Sequence, residues 1–317
     1  MKAMAAAAYG PLDRLREIDA PMPVPGPGEV RVRVVASALN PADYKVLLGT
    51  MKILHARHWP MVVGYDFSGT VDAVGPGVSE VGAGDDVFGF LPYSMGNRRG
   101  AFAEALVANV HELARKPKGI SHELAAASAT TGVTAIQSLR DLGRLVTGGR
   151  VLITGVSGGV GSIGVGIARR LGATVTAVGS GAGLEVAKRL GAAQLWDRHD
   201  RALPGDVADR FDVVFDPSAS YRWKAWRRVL APGGTFVTTL PSVGFFVDKL
   251  ASWFTDTRVR FVNVKARAAD LGLLADWLED GLEVPLASTV CVRDVAEGLL
   301  RLQKSGGRVS VRVADGF

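Results

Sequence analysis

The stretch Arg150-Val-Leu-Ile-Thr-Gly-Val-Ser-Gly-Gly-Val-Gly161 passes from a β-branched run into clustered glycines, and Ser162 to Leu171 resumes with apolar residues at helical spacing. This pattern predicts a strand, a tight turn and a helix. Gly158, Gly159 and Gly161 let backbone N–H groups approach a pyrophosphate and leave it at a helix N-terminus, where free N–H groups and the macrodipole favour an anion. Ser157 and Val160 complete that loop. Glycines in a βα turn also have a purely steric use, so the neighbouring chain has to decide. It keeps alternating, with strands expected at Thr174–Val178, Gln194–Asp197, Phe211–Asp216, Thr235–Leu240 and Val259–Val264, and helices running to Leu190 and to Leu230. That alternation predicts a doubly wound parallel sheet of the Rossmann kind with a bound dinucleotide.

With 317 residues, 48% of them hydrophobic, the chain is long enough for about two domains with a large core. No apolar run reaches the roughly 18–20 residues that span a bilayer. The alanine-rich run between Lys2 and Tyr9 is too short for a signal peptide, and Tyr9-Gly10-Pro11 reads as a turn after a first strand, so a cytoplasmic protein without a membrane partner is expected. Cys291 is the single cysteine, which excludes an internal disulfide and any multi-cysteine zinc site. The formal charge of +6 comes from cations interleaved with acids, without a dense basic run; this predicts a solvated surface rather than a nucleic-acid partner.

Before the glycine-rich block the texture changes. Glu29–Ala36 alternates with period two, and further short β segments separated by glycine-rich turns follow up to about Val107. An antiparallel β domain is expected here, preceded by an extended segment, Pro21–Gly28, with four prolines and two glycines. After Val264 two amphipathic helices, about Ala268–Asp280 and Arg293–Lys304, and an alternating strand, Arg308–Val313, do not continue the βα repeat. They are expected to return to the first domain. The predicted division is 1–122 completed by 265–317, and 123–264 for the dinucleotide.

An ordered set of landmarks runs through the whole chain: Met1-Lys-Ala with Tyr9-Gly, Pro27-Gly-Glu-Val30, Asn40-Pro-Ala-Asp-Tyr-Lys45, Val63-Gly-Tyr-Asp-Phe-Ser-Gly69, Val74-Gly-Pro-Gly-Val78, Gly84-Asp-Asp-Val-Phe-Gly89, Gly100-Ala-Phe-Ala-Glu104, Gly132-Val-Thr-Ala135 and Val156-Ser-Gly-Gly-Val-Gly161. In this order they resemble the zinc-free quinone oxidoreductase, or zeta-crystallin-like, branch of the medium-chain dehydrogenase/reductase superfamily. The resemblance implies a GroES-like β-rich catalytic domain beside a Rossmann domain, NADPH as cofactor, a homodimer, and hydride transfer to quinones or to the C=C bond of enones and alkenals. One departure touches the phosphate loop, where Val156 stands in place of the glycine that opens dinucleotide fingerprints.

An NAD site usually has a carboxylate about 20 residues past the glycines. Here the strand ends in Val178-Gly-Ser-Gly-Ala182, with no acid to repel a 2′-phosphate and Ser180 able to donate to one, which favours NADP. Arg198 sits where relatives place a tyrosine after the third strand, and an arginine there pairs bidentately with phosphate or is an ordinary exposed loop residue. Thr134 resembles a residue that contacts the cofactor's inner phosphate or ribose, and Leu240 joins the expected cofactor-binding set. Zinc-dependent relatives use a cysteine in the first landmark and a His-Glu pair in the second. This chain has Asn40 and Tyr65-Asp66 there, and His55 and His58 lie on a polar loop, so no metal is expected.

Without zinc, direct carbonyl chemistry is difficult, whereas conjugate reduction needs a hydrogen-bond donor at the developing enolate and a proton source. Tyr44 is the first candidate donor, Lys45 the second, Asn40 a substrate-orienting group and Tyr65 a further candidate, with Tyr93 near an entrance formed by Leu91–Arg99 and residues 241–257 expected as a second loop that shapes the pocket. Asn40 as a cap before Pro41 and Tyr44 as core packing are the structural alternatives. Two other functions fit the same residues: an enoyl-thioester reductase of lipid or polyketide synthesis, and a non-catalytic NADPH-binding protein.

Overall fold

Residues 1–50, 59–93, 99–199, 210–305 and 307–317 are described by the structure, a computed structural model. His55, His58 and the middle of the 91–99 loop lie outside them. The elements in chain order are β1 (Lys2–Ala6), β2 (Arg16–Asp19), β3 (Glu29–Leu39), α1 (Pro41–Leu47), β4 (Met61–Val62), β5 (Asp66–Val74), β6 (Asp86–Phe90), β7 (Ala105–Asn109), β8 (Leu113–Arg115), α2 (His122–Ile136), β9 (Arg150–Ile153), α3 (Gly159–Arg170), β10 (Thr174–Gly179), α4 (Ala182–Arg189), β11 (Gln194–Asp197), β12 (Phe211–Asp216), α5 (Trp223–Trp226), β13 (Leu230–Thr238), α6 (Val243–Ser252), β14 (Arg258–Phe261), α7 (Ala268–Glu279), β15 (Ser288–Cys291), α8 (Val295–Ser305) and β16 (Val309–Arg312). The chain divides into two compact units, Met1–Thr130 with Lys265–Phe317, and Thr131–Val264; α2 runs through the division.

In the β-rich unit, β3 is the hub. Its alternating valines bury one side chain in two, and Val30, Val32 and Val34 join the core with Phe67 and Phe102. One edge of β3 pairs antiparallel with β5 along most of its length. The other edge is shared: Glu29–Arg33 pair with β7, and Ala36–Leu39 pair with β16. The returning C-terminal strand therefore docks beside the end of β3, with Val309 opposite Leu39. By that register Arg308 arrives beside Asn40, while Asp66, opposite Ala38, arrives from the other edge.

In the α/β unit the six parallel strands among the described residues run in the order β11-β10-β9-β12-β13-β14. The order reverses between β9 and β12, and the glycine-rich loop follows β9, which places it at the switch point where open α/β sheets bind ligands. Two expectations are corrected. The helix expected up to Leu230 is a single turn, because Leu230 already pairs with Phe211 and starts β13 ahead of Pro232. The stretch 241–257, expected as loop, carries α6, whose N-terminus is capped by Ser242 Oγ accepting from Phe245 N at 3.1 Å.

Trp223 and Trp226 fill the core of this unit with Phe211, Val214, Phe236 and Phe245. Their polar ends differ. Trp223 Nε1 donates to Thr257 Oγ1 at 3.1 Å, whereas the buried Trp226 Nε1 has no partner among the described residues. A buried donor left unsatisfied costs about 1–3 kcal/mol. Trp226→Phe is therefore expected to destabilise the protein less than Trp223→Phe in urea unfolding, and an equal or reversed pair of midpoint shifts would refute the difference.

Candidate functional site

β9 ends in Ile153 and the chain turns through Thr154–Gly158 into α3, whose N-cap is Gly158. Among the described residues no side chain caps this helix, which leaves the N–H groups of Gly159, Val160 and Gly161 for a ligand or solvent. A Cβ on Gly161 would stand 2.3 Å from Gly155 O, so helix and loop touch only because residue 161 has no side chain. Val156 is wholly buried, and its Cγ2 would lie 2.7 Å from a Cβ on Gly179. The bulk added at the first fingerprint position is thus taken up by a glycine on the neighbouring strand β10.

At the end of β10 stands Ser180, and Arg198 N donates to Gly179 O at 2.8 Å, so the arginine is fastened beside the serine. Arg198 is exposed, and Asp197 on β11 accepts from His199 N at 2.9 Å. Thr134 is buried on α2, and Leu240 is 40% exposed beyond β13, lining a shallow cleft with Tyr221, Ser242 and Phe245. Sequence reasoning missed Asp216. Wholly buried at the end of β12, it accepts from Thr154 Oγ1 at 2.6 Å, Ser218 Oγ at 2.8 Å and Tyr221 N at 2.8 Å, tying the start of the glycine loop to the next strand. Its signal was the Phe215-Asp-Pro217 strand end.

The β-rich unit holds a second polar cluster. Asn40 caps α1 with Pro41 following at the first helical position, and Asn40 N donates to Asp43 Oδ2 at 2.6 Å. Asn40 Nδ2 donates to Asp66 Oδ2 at 2.8 Å, and Thr130 N donates to Asp66 Oδ1 at 2.8 Å. Into this cluster comes Arg308, 4% exposed, donating to Asp66 Oδ2, to Asn40 Oδ1 at 2.9 Å, to Leu39 O at 2.6 Å and to Ala127 O at 2.6 Å. Arg308 is the residue sequence reasoning missed altogether; an arginine opening an alternating strand gives no pattern that marks it.

Tyr65 stacks on Tyr93 with ring centroids 4.0 Å apart and planes inclined by 27°. Burial, with the nearby Asp43 carboxyl, pushes both hydroxyls far above the ordinary tyrosine range, so both stay protonated. Asn40, Tyr65 and Asp66 are brought together. Tyr44 is half-buried against the β core, and Lys45 is half-buried with its ammonium pKa lowered by desolvation. Among the described residues no partner holds the Tyr44 hydroxyl or the Lys45 amine, in contrast to Asn40 and Asp43. Ser68 and His122 pair at 2.8 Å, but Ser68 is wholly buried and donates to Val87 O, so they join strand to helix and form no nucleophile.

The donor set does not suit a zinc ion. Among the described residues no three His, Cys, Asp or Glu side chains form a metal-binding group, and the space between Asn40 and Asp66 already holds the cationic guanidinium of Arg308.

Residues 26–118 match the alcohol dehydrogenase GroES-like domain model, and residues 159–270 match the zinc-binding dehydrogenase model. The chain is 35% identical over 292 residues to a 2-methylene-furan-3-one reductase of Solanum lycopersicum, covering 90% of this chain and 71% of that protein. It is also 35% identical over 214 residues to a mycocerosic acid synthase-like polyketide synthase of Mycobacterium tuberculosis, covering 66% of this chain and only 10% of that protein. The solved structure of a quinone oxidoreductase from Coxiella burnetii superposes with a TM-score of 0.85 at 25% identity, over 99% of each chain.

Asp43 is wholly buried, its Oδ1 has no partner among the described residues, and desolvation raises its pKa well above 3.8. A carboxyl whose folded pKa is raised contributes stability below its unfolded pKa and loses it as pH rises toward the folded value. Relative to Asp43→Asn, which keeps an acceptor for Asn40 N, the wild-type protein is therefore expected to lose stability as pH rises from about 4 toward neutrality. Parallel denaturation midpoints for the two proteins across that range would contradict it.

Proposed function

The chain belongs to the medium-chain dehydrogenase/reductase superfamily, and on that premise we propose that it is an NADPH-dependent reductase passing hydride, without zinc, to quinones or to the C=C bond of α,β-unsaturated carbonyls. The observation that carries this reading is the Arg308 guanidinium lying between Asn40 and Asp66, which leaves conjugate reduction, needing only a donor and a proton, as the chemistry these residues support. A small to medium, apolar substrate and a cytoplasmic homodimer complete the proposal.

Ser157, Gly158, Gly159, Val160 and Gly161 would hold the pyrophosphate, with Thr134 and Leu240 as further cofactor contacts, and Ser180 with Arg198 would hold a 2′-phosphate. The nicotinamide supplies a hydride from its C4 when bound. Asn40 has both ends of its amide engaged within the protein, so its part is to fix the start of α1. Tyr44 and Lys45, whose polar ends have no protein partner among the described residues, are the groups this reading assigns as donors to the enolate oxygen. Burial helps Lys45 in this, since a depressed pKa makes it a readier proton source. Tyr65 is second in rank. The match to a polyketide synthase supports a second reading, reduction of an enoyl thioester, and turnover of crotonyl-type thioesters in preference to enones and quinones would select it.

Arg198→Ala is expected to weaken NADPH binding by about 1.5–3 kcal/mol, the value of one charge-assisted contact, while leaving NADH binding in place. Fluorescence titration with both cofactors checks this, and an unchanged NADPH/NADH ratio would remove Arg198 from the phosphate site.

Tyr44→Phe is expected to lower kcat on an enone by about 10²–10³ with little change in NADPH affinity, as for loss of one transition-state donor. Quinones, which accept electrons more readily, should suffer less. The enzyme should keep its activity after chelation and contain no stoichiometric zinc. Wild-type enone turnover by both Tyr44→Phe and Lys45→Met would take these residues out of the mechanism.

A further inference from the structure

Strand β3 gives one edge to two partners in turn. Glu29–Arg33 pair with β7 and Ala36–Leu39 with β16, so Val34 and Val35 fall where one strand leaves and the other arrives. The gap is fastened at both ends: Val34 N donates to Glu104 O at 2.9 Å just ahead of β7, and Val35 O accepts from Val313 N at 3.0 Å and Ala314 N at 3.1 Å just past β16. Between these ends lies a cleft of about 390 Å³, within the range of small-ligand pockets, and all of its lining belongs to the β-rich unit.

The lining is of two kinds. Val34, Ala105 and Val313 are buried, Phe317 is half-buried, and Met22 of the extended segment ahead of β3 lines the cleft while 45% exposed. Three carboxylates, Asp72, Glu104 and Asp315, stand against the single guanidinium of Arg33, although the chain as a whole carries +6. Asp72 is neutralised by Arg31 at 2.7 Å. Glu104 and Asp315 are exposed, and Glu104 Oε2 accepts from Lys2 N at 2.7 Å. No cation among the described residues pairs with either of these two side chains. They come from the two separate pieces of chain that build the unit, Met1–Thr130 and Lys265–Phe317.

We propose that this cleft binds a small organic cation, an ammonium group on an apolar body, with the body against Val34, Ala105 and Val313 and the ammonium beside Glu104 and Asp315. An organic anion would meet two carboxylates and no free cation, and an inorganic cation would make no use of the apolar lining. The ligand touches both pieces of chain, so binding holds the returning segment to β3 and β7 and stabilises the folded protein by mass action. The proposal stands independently of the reaction above, because no residue assigned there to cofactor or substrate lines the cleft.

Calorimetric titration of the full chain, without NADPH or substrate, tests it with three molecules of similar shape: tryptamine, tryptophol and indole-3-propionate. Tryptamine is expected to bind tightest and indole-3-propionate weakest, and the tryptamine affinity should fall with added salt. An exposed ion pair is worth up to about fivefold, so Glu104→Gln/Asp315→Asn should weaken tryptamine by roughly 5- to 25-fold and change tryptophol little. Asparagine keeps residue 315 able to hold its φ of 57°. Ala314→Phe, which fills the cleft, should abolish tryptamine binding while its far-UV circular dichroism stays that of the wild type. Saturating tryptamine should raise the Tm of the wild type and not of Ala314→Phe. Absence of tryptamine binding, equal affinities for the three molecules, or wild-type tryptamine binding by both variants would overturn the proposal.

Discussion

A buried carboxylate needs a partner, and in the β-rich unit the partner of Asp66 is Arg308. Both are almost fully out of water, and removing one member of such a pair typically costs about 3–5 kcal/mol because the other is left as an uncompensated charge. Salt does little to screen charges at this depth, unlike the surface pairs of Lys2 or Arg301. The pair also sets the geometry around it. Asn40 is held from both ends, which fixes where α1 begins and hence where Tyr44 and Lys45 stand. Asp66 is fixed by Thr130 N and Arg308, which fixes the neighbouring Tyr65. The polar groups assigned to catalysis are positioned by an ion pair that takes no part in the chemistry proposed for them.

The α/β unit solves a different problem, the close approach of backbone at the glycine loop. Valine at 156 would crowd a loop of ordinary design, yet here its side chain lies over Gly179 on β10. The requirement for a missing Cβ has been moved from one strand to its neighbour. Asp216 then fastens the loop to β12 through Thr154, so the switch point of the sheet is held by side-chain hydrogen bonds as well as by packing.

The architecture was legible wherever it rests on local periodicity. The β9–α3 unit, Gln194–Asp197 and Phe211–Asp216 repeat a pattern that a period of two or 3.6 reveals. What escaped depended on distance or on a broken pattern. Arg308 acquires its meaning only once β16 is placed beside β3, a pairing between residues far apart in the chain. α6 was hidden because its apolar residues lie on two sides, which erases the one-sided stripe that announces a helix. The expected role of Asn40 as a substrate-orienting group took its polarity as available, whereas the fold engages both ends of its amide.

The β-rich unit is written in two pieces of chain, and this orders its assembly in time. Asp66 and Arg308 are separated by 242 positions, with the whole α/β unit encoded between them. During synthesis, which proceeds at roughly 5–20 residues per second, the carboxylate emerges first and has to wait hydrated for its guanidinium. The six described strands of the α/β unit are all synthesised before Arg308. The end of the sheet that carries α1 is closed last, by the strand that brings the charge it lacks.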